Sequence, residues 1–201
     1  MRITTNRRRT SATLLAGAVL IALATTACGP TTTGSVSTQP KQSAAAGAAG
    51  SAKPAGGGSK TPTVAKVGDT IALKGQESGS SADVTVVKVV DNAQSSDDYS
   101  KPADGKRWIA IQFRIKDTGT AAYSDAPENG TTVLDDQGQS YNSVVADTTA
   151  GQSFAVPANI AAGDSALGFI TFEVPQAAKL DKVQFTLDSG FADQTGQWKL
   201  S

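Results

Sequence analysis

From Val64 to the C-terminus, apolar and polar residues alternate in short runs broken by Gly, Asp and Asn. A period of two puts one set of side chains on a buried face of a strand and the other set on an exposed face, whereas a helix spaces its apolar positions by three and four. The clearest run is Trp108–Lys116. Ile109, Ile111, Phe113 and Ile115 fall on one side, and Trp108, Ala110, Gln112 and Arg114 on the other. That pattern predicts a half-buried strand, ended by the turn-forming Asp117-Thr118-Gly119.

Further runs follow the same rule. Val67–Lys74 predicts a first strand and Asp83–Val90 a second, whose apolar phase slips between Val86 and Val87 as it does at a β-bulge. Thr131–Leu134 and Gln139–Ser143 flank Asp135-Asp136-Gln137-Gly138, a hairpin turn. Ala166–Val174 turns Ile170, Phe172 and Val174 inward and stops at Pro175, while Lys182–Leu187 turns Val183, Phe185 and Leu187 inward. Trp198 and Leu200 share a face near the end. About seven or eight strands without an amphipathic helix predict an all-β antiparallel sandwich over residues 64–201.

Upstream the texture changes. Residues 29–63 are Thr, Ser, Gly, Ala, Pro, Gln and a few Lys, with Val36 the one larger aliphatic and no aromatic, Leu, Ile or acid. Such a stretch buries too little surface to offset the entropy of ordering it, so 28–63 is expected to be a disordered tether. Its root-mean-square span as a flexible chain would be roughly 30–35 Å.

The first 27 residues read as an export signal. Arg2, Arg7, Arg8 and Arg9 precede an apolar stretch, Ala12–Ala27, that falls short of the roughly 20 residues a bilayer span needs. The small residues Ala24-Thr25-Thr26-Ala27 stop at Cys28, the single cysteine, and this resembles the bacterial lipobox, although Thr25 stands where that pattern prefers Leu. The resemblance implies that Cys28 carries diacylglycerol and becomes the mature N-terminus. Two or three acyl chains give a stable membrane hold where one is marginal. The alternatives are an ordinary signal peptide with Cys28 incidentally near its end, or an uncleaved anchor.

Charge sharpens the division. Of 18 bases and 18 acids, residues 1–63 hold seven bases and no acid, so they carry +7 and the remainder −7. A body this acidic repels phosphate, which speaks against nucleic acid as a partner. The chain has no His, which removes His-based general acid–base catalysis and His-containing metal sites. With one Cys it forms no internal disulfide, so the core alone must stabilise the domain.

A resemblance to a known family can now be stated. Val67-Gly68-Asp69-Thr70, Gly105-Lys106-Arg107-Trp108-Ile109-Ala110-Ile111, Ile115–Gly119, Leu134–Tyr141, Ala162-Gly163-Asp164 and Phe172-Glu173-Val174-Pro175 occur in an order similar to that of a bacterial immunoglobulin-like domain of unknown function. That domain recurs in surface lipoproteins of Gram-positive, including actinobacterial, species. Where its members often read Pro-Gly-Glu, this chain has Ala162-Gly163-Asp164. Secreted mycobacterial antigens with a similar sandwich are a looser parallel. The resemblance covers nearly all of 64–201 and implies an immunoglobulin-like fold, with no catalytic residue to carry over.

Candidate chemistry is sparse. Asp91, Asp97, Asp98 and Asp104 could converge on Ca²⁺, but their spacing is not that of an EF-hand loop, and solvated acids are the plainer account. No Gly-x-Ser-x-Gly elbow occurs, and 18 acids always supply some carboxylate pair, so no catalytic, metal or cofactor site is expected. Trp108 with Tyr99 and Tyr123 could form a recognition patch, although a Trp at a sandwich edge beneath a loop is more often structural. Asn129-Gly130-Thr131 reads as a turn rather than a glycosylation acceptor. The function expected is a membrane-anchored extracellular module, non-catalytic, that binds an envelope protein, wall polymer or host component. The alternatives are a small-ligand-binding accessory protein and, further off, a carboxylate-based hydrolase.

Overall fold

The computed structural model describes residues 35–41 and 64–201. Residues 1–34, Cys28 included, and 42–63 lie outside the described residues, so the expected signal peptide, the expected lipidation at Cys28 and most of the expected tether do too. In chain order the strands are β1 (Ser35–Ser37), β2 (Ala65–Lys66), β3 (Thr70–Lys74), β4 (Ser81–Val90), β5 (Lys106–Asp117), β6 (Tyr123–Asp125), β7 (Thr131–Asp135), β8 (Ser140–Val144), β9 (Ala158–Ile160), β10 (Ser165–Pro175), β11 (Leu180–Thr186) and β12 (Gln194–Lys199). Eight of them have five or more residues, which matches the number expected from the alternation. A 3₁₀ turn, Asp188–Gly190, joins β11 to β12.

The fold is an all-β sandwich. The strand order is β1-β12-β11-β7-β8-β10-β5-β4-β3, with β2 also on β12. β3, β4, β5 and β10 are antiparallel neighbours in one layer, and β7, β11 and β12 form the other. β8 belongs to both: Ser140–Asn142 pair with β7, then Ser143 and Val144 pair with β10. A strand that changes sheets makes a corner, leaving an open seam on the far side between β3 and β12. The seam is bridged by the Trp198 indole donating to the Asp69 carbonyl at 2.9 Å and by the Lys74 amide donating to Gln194 Oε1 at 2.9 Å.

The inward residues are those the alternation selects. Ile109, Ile111, Phe113, Ile115, Phe172, Val174, Val183, Phe185 and Trp198 are fully buried. Phe113 and Phe185 meet across the two sheets with ring centroids 5.5 Å apart at 48°, a tilted contact that aromatic quadrupoles favour. The bulge expected in the second strand is present, as the β4–β5 register shifts between Val86 and Lys88. The expected hairpin turn closes around Asp135. Its Oδ1 accepts the Gln137 and Gln139 amides at 3.0 and 2.8 Å, and Gly138 supplies φ +83°.

Three features depart from expectation. The first long strand begins only at Thr70, because Val67–Asp69 is a turn in which Asp69 Oδ2 accepts the Lys66 amide at 2.9 Å. The pair β6–β9 has three residues per strand and no readable alternation. The expectation of disorder over 28–63 does not hold for its described part. Ser35–Ser37 pairs in parallel with Gln194–Gly196, and the chain stays on the sandwich as far as Lys41.

Candidate functional site

β5 was expected to have one buried face, yet Trp108 and Ala110 on its outer face are buried as well. Two loops cover them. Residues 91–104 and 145–153 are stitched together by the bridge Ser95–Thr148, and a further bridge joins Ser153 to Phe169 of β10. Trp108, Ala110, Phe169 and Ala93 form a second, smaller core beneath this loop layer, with Val90, Val144, Ala146 and Ala150 packed against it.

Two charged side chains pin the first loop. Glu173 on β10 accepts the Ala103 amide and the Trp108 indole at 3.0 and 3.3 Å and pairs with Lys106 at 3.0 Å. The Ala103 amide first, then Lys106, hold its carboxyl below the ordinary value against the opposing pull of burial. Arg107, also buried, donates to Asp91 at 2.7 Å and to the carbonyls of Pro175, Gln176 and Ala178 at 2.7, 2.8 and 2.9 Å. It thereby ties the loop to the β10–β11 turn. Sequence reasoning missed Arg107 and Glu173. An arginine opening a strand reads as a solvated end, and only the fold shows the turn carbonyls of Pro175, Gln176 and Ala178 gathered opposite it.

Two of the four acids that suggested calcium are committed to local work. Asp97 accepts the Ser100 and Tyr99 amides at 2.6 and 2.7 Å, which lowers its carboxyl, and Asp91 serves Arg107. No group of three or more His, Cys, Asp or Glu is placed to hold a metal among the described residues.

The patch of Trp108, Tyr99 and Tyr123 does not form. Trp108 is 4% exposed, Tyr99 projects from the loop at 97%, and Tyr123 is half-buried in β6. The Tyr123 amide donates to Asp117 at the far end of β5, nine residues beyond Trp108, which is about 30 Å along a strand. Burial first, then the Asp125 charge, pushes the Tyr123 phenol upward, so it is a neutral packing group and not an acid.

What the fold assembles instead is an apolar cleft at the corner. Once β8 leaves β10 at Val144, the β10 edge below Thr171 is met by the isolated Ser153–Phe169 bridge in place of a strand and is roofed by residues 153–156. Val144–Ala146, Phe154 and Val156 form the walls, Phe169 and Ile170 the floor, and Glu128 and Asp147 stand on the rim. The cleft holds about 170 Å³. Phe154 lies flat on Gly168, where a Cβ would come within 2.6 Å of its ring, so only glycine permits that roof. Val145 and Val156 remain largely exposed at the mouth. Small-molecule sites run from about 300 to 1,000 Å³. This cleft has room for one apolar side chain, and its two rim carboxylates would favour a cation beside it.

The sequence profile of a domain of unknown function (DUF4352) matches residues 73–195, more than half of the chain. The chain belongs to this family. The DUF4352 span runs from the end of β3 to the start of β12, so it includes the loop layer and the corner cleft and leaves out Ser35–Lys41. No curated protein matches the chain.

Several solved structures are distantly similar. One is ycdA of Bacillus subtilis, described as a lipoprotein, at 17% identity over 64% of this chain and 38% of that chain, with a TM-score of 0.47. Another is MPT63, a secreted protein of Mycobacterium tuberculosis, at 15% identity over 67% of this chain and 94% of that chain, TM-score 0.48. A third is a β-sandwich protein of Clostridium difficile, at 14% identity over 74% of this chain and all of that chain, TM-score 0.41. The chain spans little more than a third of the length of ycdA. Likeness at this distance says nothing about ligand or activity.

Proposed function

We propose that this DUF4352 protein is a non-catalytic binding module held on the outer face of the cytoplasmic membrane of a Gram-positive bacterium by a lipid on Cys28. The anchor reading rests on the basic start, the short apolar stretch and the lone cysteine after Ala24–Ala27. The binding reading rests on the corner cleft, where Val145 and Val156 stay exposed on a domain whose other large apolar groups are mostly buried. Exposed aliphatics gathered at the mouth of a cleft mark contact surfaces more often than chance exposure does.

The partner is an envelope protein, or a wall polymer, presenting an apolar group beside a positive charge. This corner cleft is too small to enclose a nutrient-sized ligand, so its own contact is with a protruding group of a larger partner. An acidic body of net charge −7 does not attract nucleic acid.

The test has two arms. Cys28→Ala should move the protein from the membrane fraction to the soluble fraction; retention with unchanged mass defeats the anchor. In the second arm, photocrosslinker placed at Val145 of the intact lipoprotein should yield one discrete adduct on whole cells, and Val156→Glu should remove it. A crosslinking pattern indifferent to Val156→Glu defeats the cleft as the contact surface.

A further inference from the structure

The edge of β12 is covered by two short parallel segments laid end to end. Ser35, Val36 and Ser37 pair with Gln194, Thr195 and Gly196, and Ala65 and Lys66 pair with Trp198 and Lys199. The junction is closed where the Ala65 amide donates to the Thr38 carbonyl. The chain thus leaves the edge after Thr38 and returns to it at Ala65, so β1 and β2 act as one composite edge strand. Beyond the junction, the Lys41 amide donates to the Thr70 carbonyl of β3, and the Lys41 ammonium pairs with Asp83 of β4. Ser35–Lys41 therefore crosses the open seam between β12 and β3.

Three features make this a built contact. Without β1, the Gln194–Gly196 edge would present unpaired backbone groups, the hazard that sheet proteins ordinarily cover. Val36, the one larger aliphatic in residues 29–63, stands at the centre of the added strand and is half-exposed, and β-branched residues favour strands. Asp83 is only 13% exposed, and Lys41 is the cation that reaches it. The second Asp83 oxygen is buried without a partner, so loss of Lys41 would strand a largely buried carboxylate.

We infer that the Gln194–Gly196 edge is a strand-acceptor site whose occupant is the chain's own Ser35–Lys41, a clasp that shortens the tether. The consequence for reach rests on the Cys28 anchor proposed above. At no more than roughly 3.5 Å per residue, Ser35 lies within about 25 Å of Cys28, whereas Val64 without the clasp could stand as far as about 125 Å away. Docked, the clasp limits the length of free chain between anchor and sandwich; released, it lengthens that chain and exposes a free β12 edge.

The test separates the clasp from the anchor by using the full chain with Cys28→Ala, in which no lipid is added. Val36→Cys and Thr195→Cys face each other in register and should form an intramolecular disulfide under mild oxidation, while Val36→Cys with Gln139→Cys should not. Disulfide-linked dimers would show that the occupant is the segment of a second copy, and equal crosslinking in both pairs would show no docking at all. Either result overturns the clasp. As a second measurement, Lys41→Glu should accelerate hydrogen exchange of the Gln194–Gly196 amides by about two- to fivefold, the scale of a lost ion pair whose lysine is half-exposed. Asp83→Lys in the same chain should restore protection. Exchange that ignores both substitutions also overturns the proposal.

Discussion

The two faces of β5 bury their side chains by different means. On the inner face Ile109, Ile111, Phe113 and Ile115 join an apolar core built mainly from the facing strands. On the outer face Trp108 and Ala110 are buried equally well, but by irregular loops whose position depends on Arg107 and Glu173. The first kind of burial follows from periodicity. The second depends on a few polar anchors and is correspondingly easier to open, as expected of loops with few apolar contacts. The corner cleft lies where these two regions meet, its floor made of Ile170 from the main core and Phe169 from the minor one.

That contrast can be broken most sharply at Phe113. Phe113→Ala removes a fully buried ring from the inter-sheet core and should cost about 3–5 kcal/mol in chemical denaturation. A loss under 1 kcal/mol would mean the main core is not where stability resides. Arg107→Ala comes next. It leaves the carbonyls of Gln176 and Ala178 without their donor, while Pro175 keeps the Ala178 amide, and about 2–3 kcal/mol should be lost, together with faster exchange in residues 91–104.

Glu173→Gln is a smaller change, about 1 kcal/mol, because it removes the Lys106 ion pair while an amide oxygen can still accept the Ala103 amide. It should also alter the acid limb of stability. The Glu173 carboxyl is depressed in the folded state, so its contribution is fully present above the ordinary value of 4.5 and fades as pH falls through the lower folded value. Trp108 fluorescence in the wild type should therefore change on acidification below about pH 4.5, and the Glu173→Gln protein should lack that component. An identical acid profile in both would remove Glu173 as the loop's anchor. Val145→Ala should be the mildest, within about 0.5 kcal/mol, since its side chain is wholly exposed; its effect belongs to binding and not to stability.

The same contrast explains what was legible in the sequence. Ile109 to Ile115, Ile170 to Val174, Val183 to Leu187 and the bulge after Val86 could be read directly, because a period of two leaves a mark in any window of a few residues. The Asp135–Gly138 turn was equally plain, since its residues satisfy their own backbone locally. The burial of Trp108, the roles of Arg107 and Glu173, and the cleft between Val144 and Phe154 were not legible. Each depends on partners from 65 to more than 70 residues away in the chain, or on where β8 changes sheets. The docking of Ser35–Ser37 was hidden by composition. Its short Ser-Val-Ser run resembles the rest of the tether until the matching β12 edge is known. Tyr99, Tyr123 and Trp108 failed as a patch because closeness in sequence across one long strand becomes distance in space.

The proposed placement of this module outside the cell, on a lipid at Cys28, is tested most directly by the intact mass of the mature protein extracted from membranes. The expected species starts at Cys28 and carries diacylglycerol on its sulfur. A mature chain starting elsewhere, or one with Cys28 as a free thiol, would contradict the account.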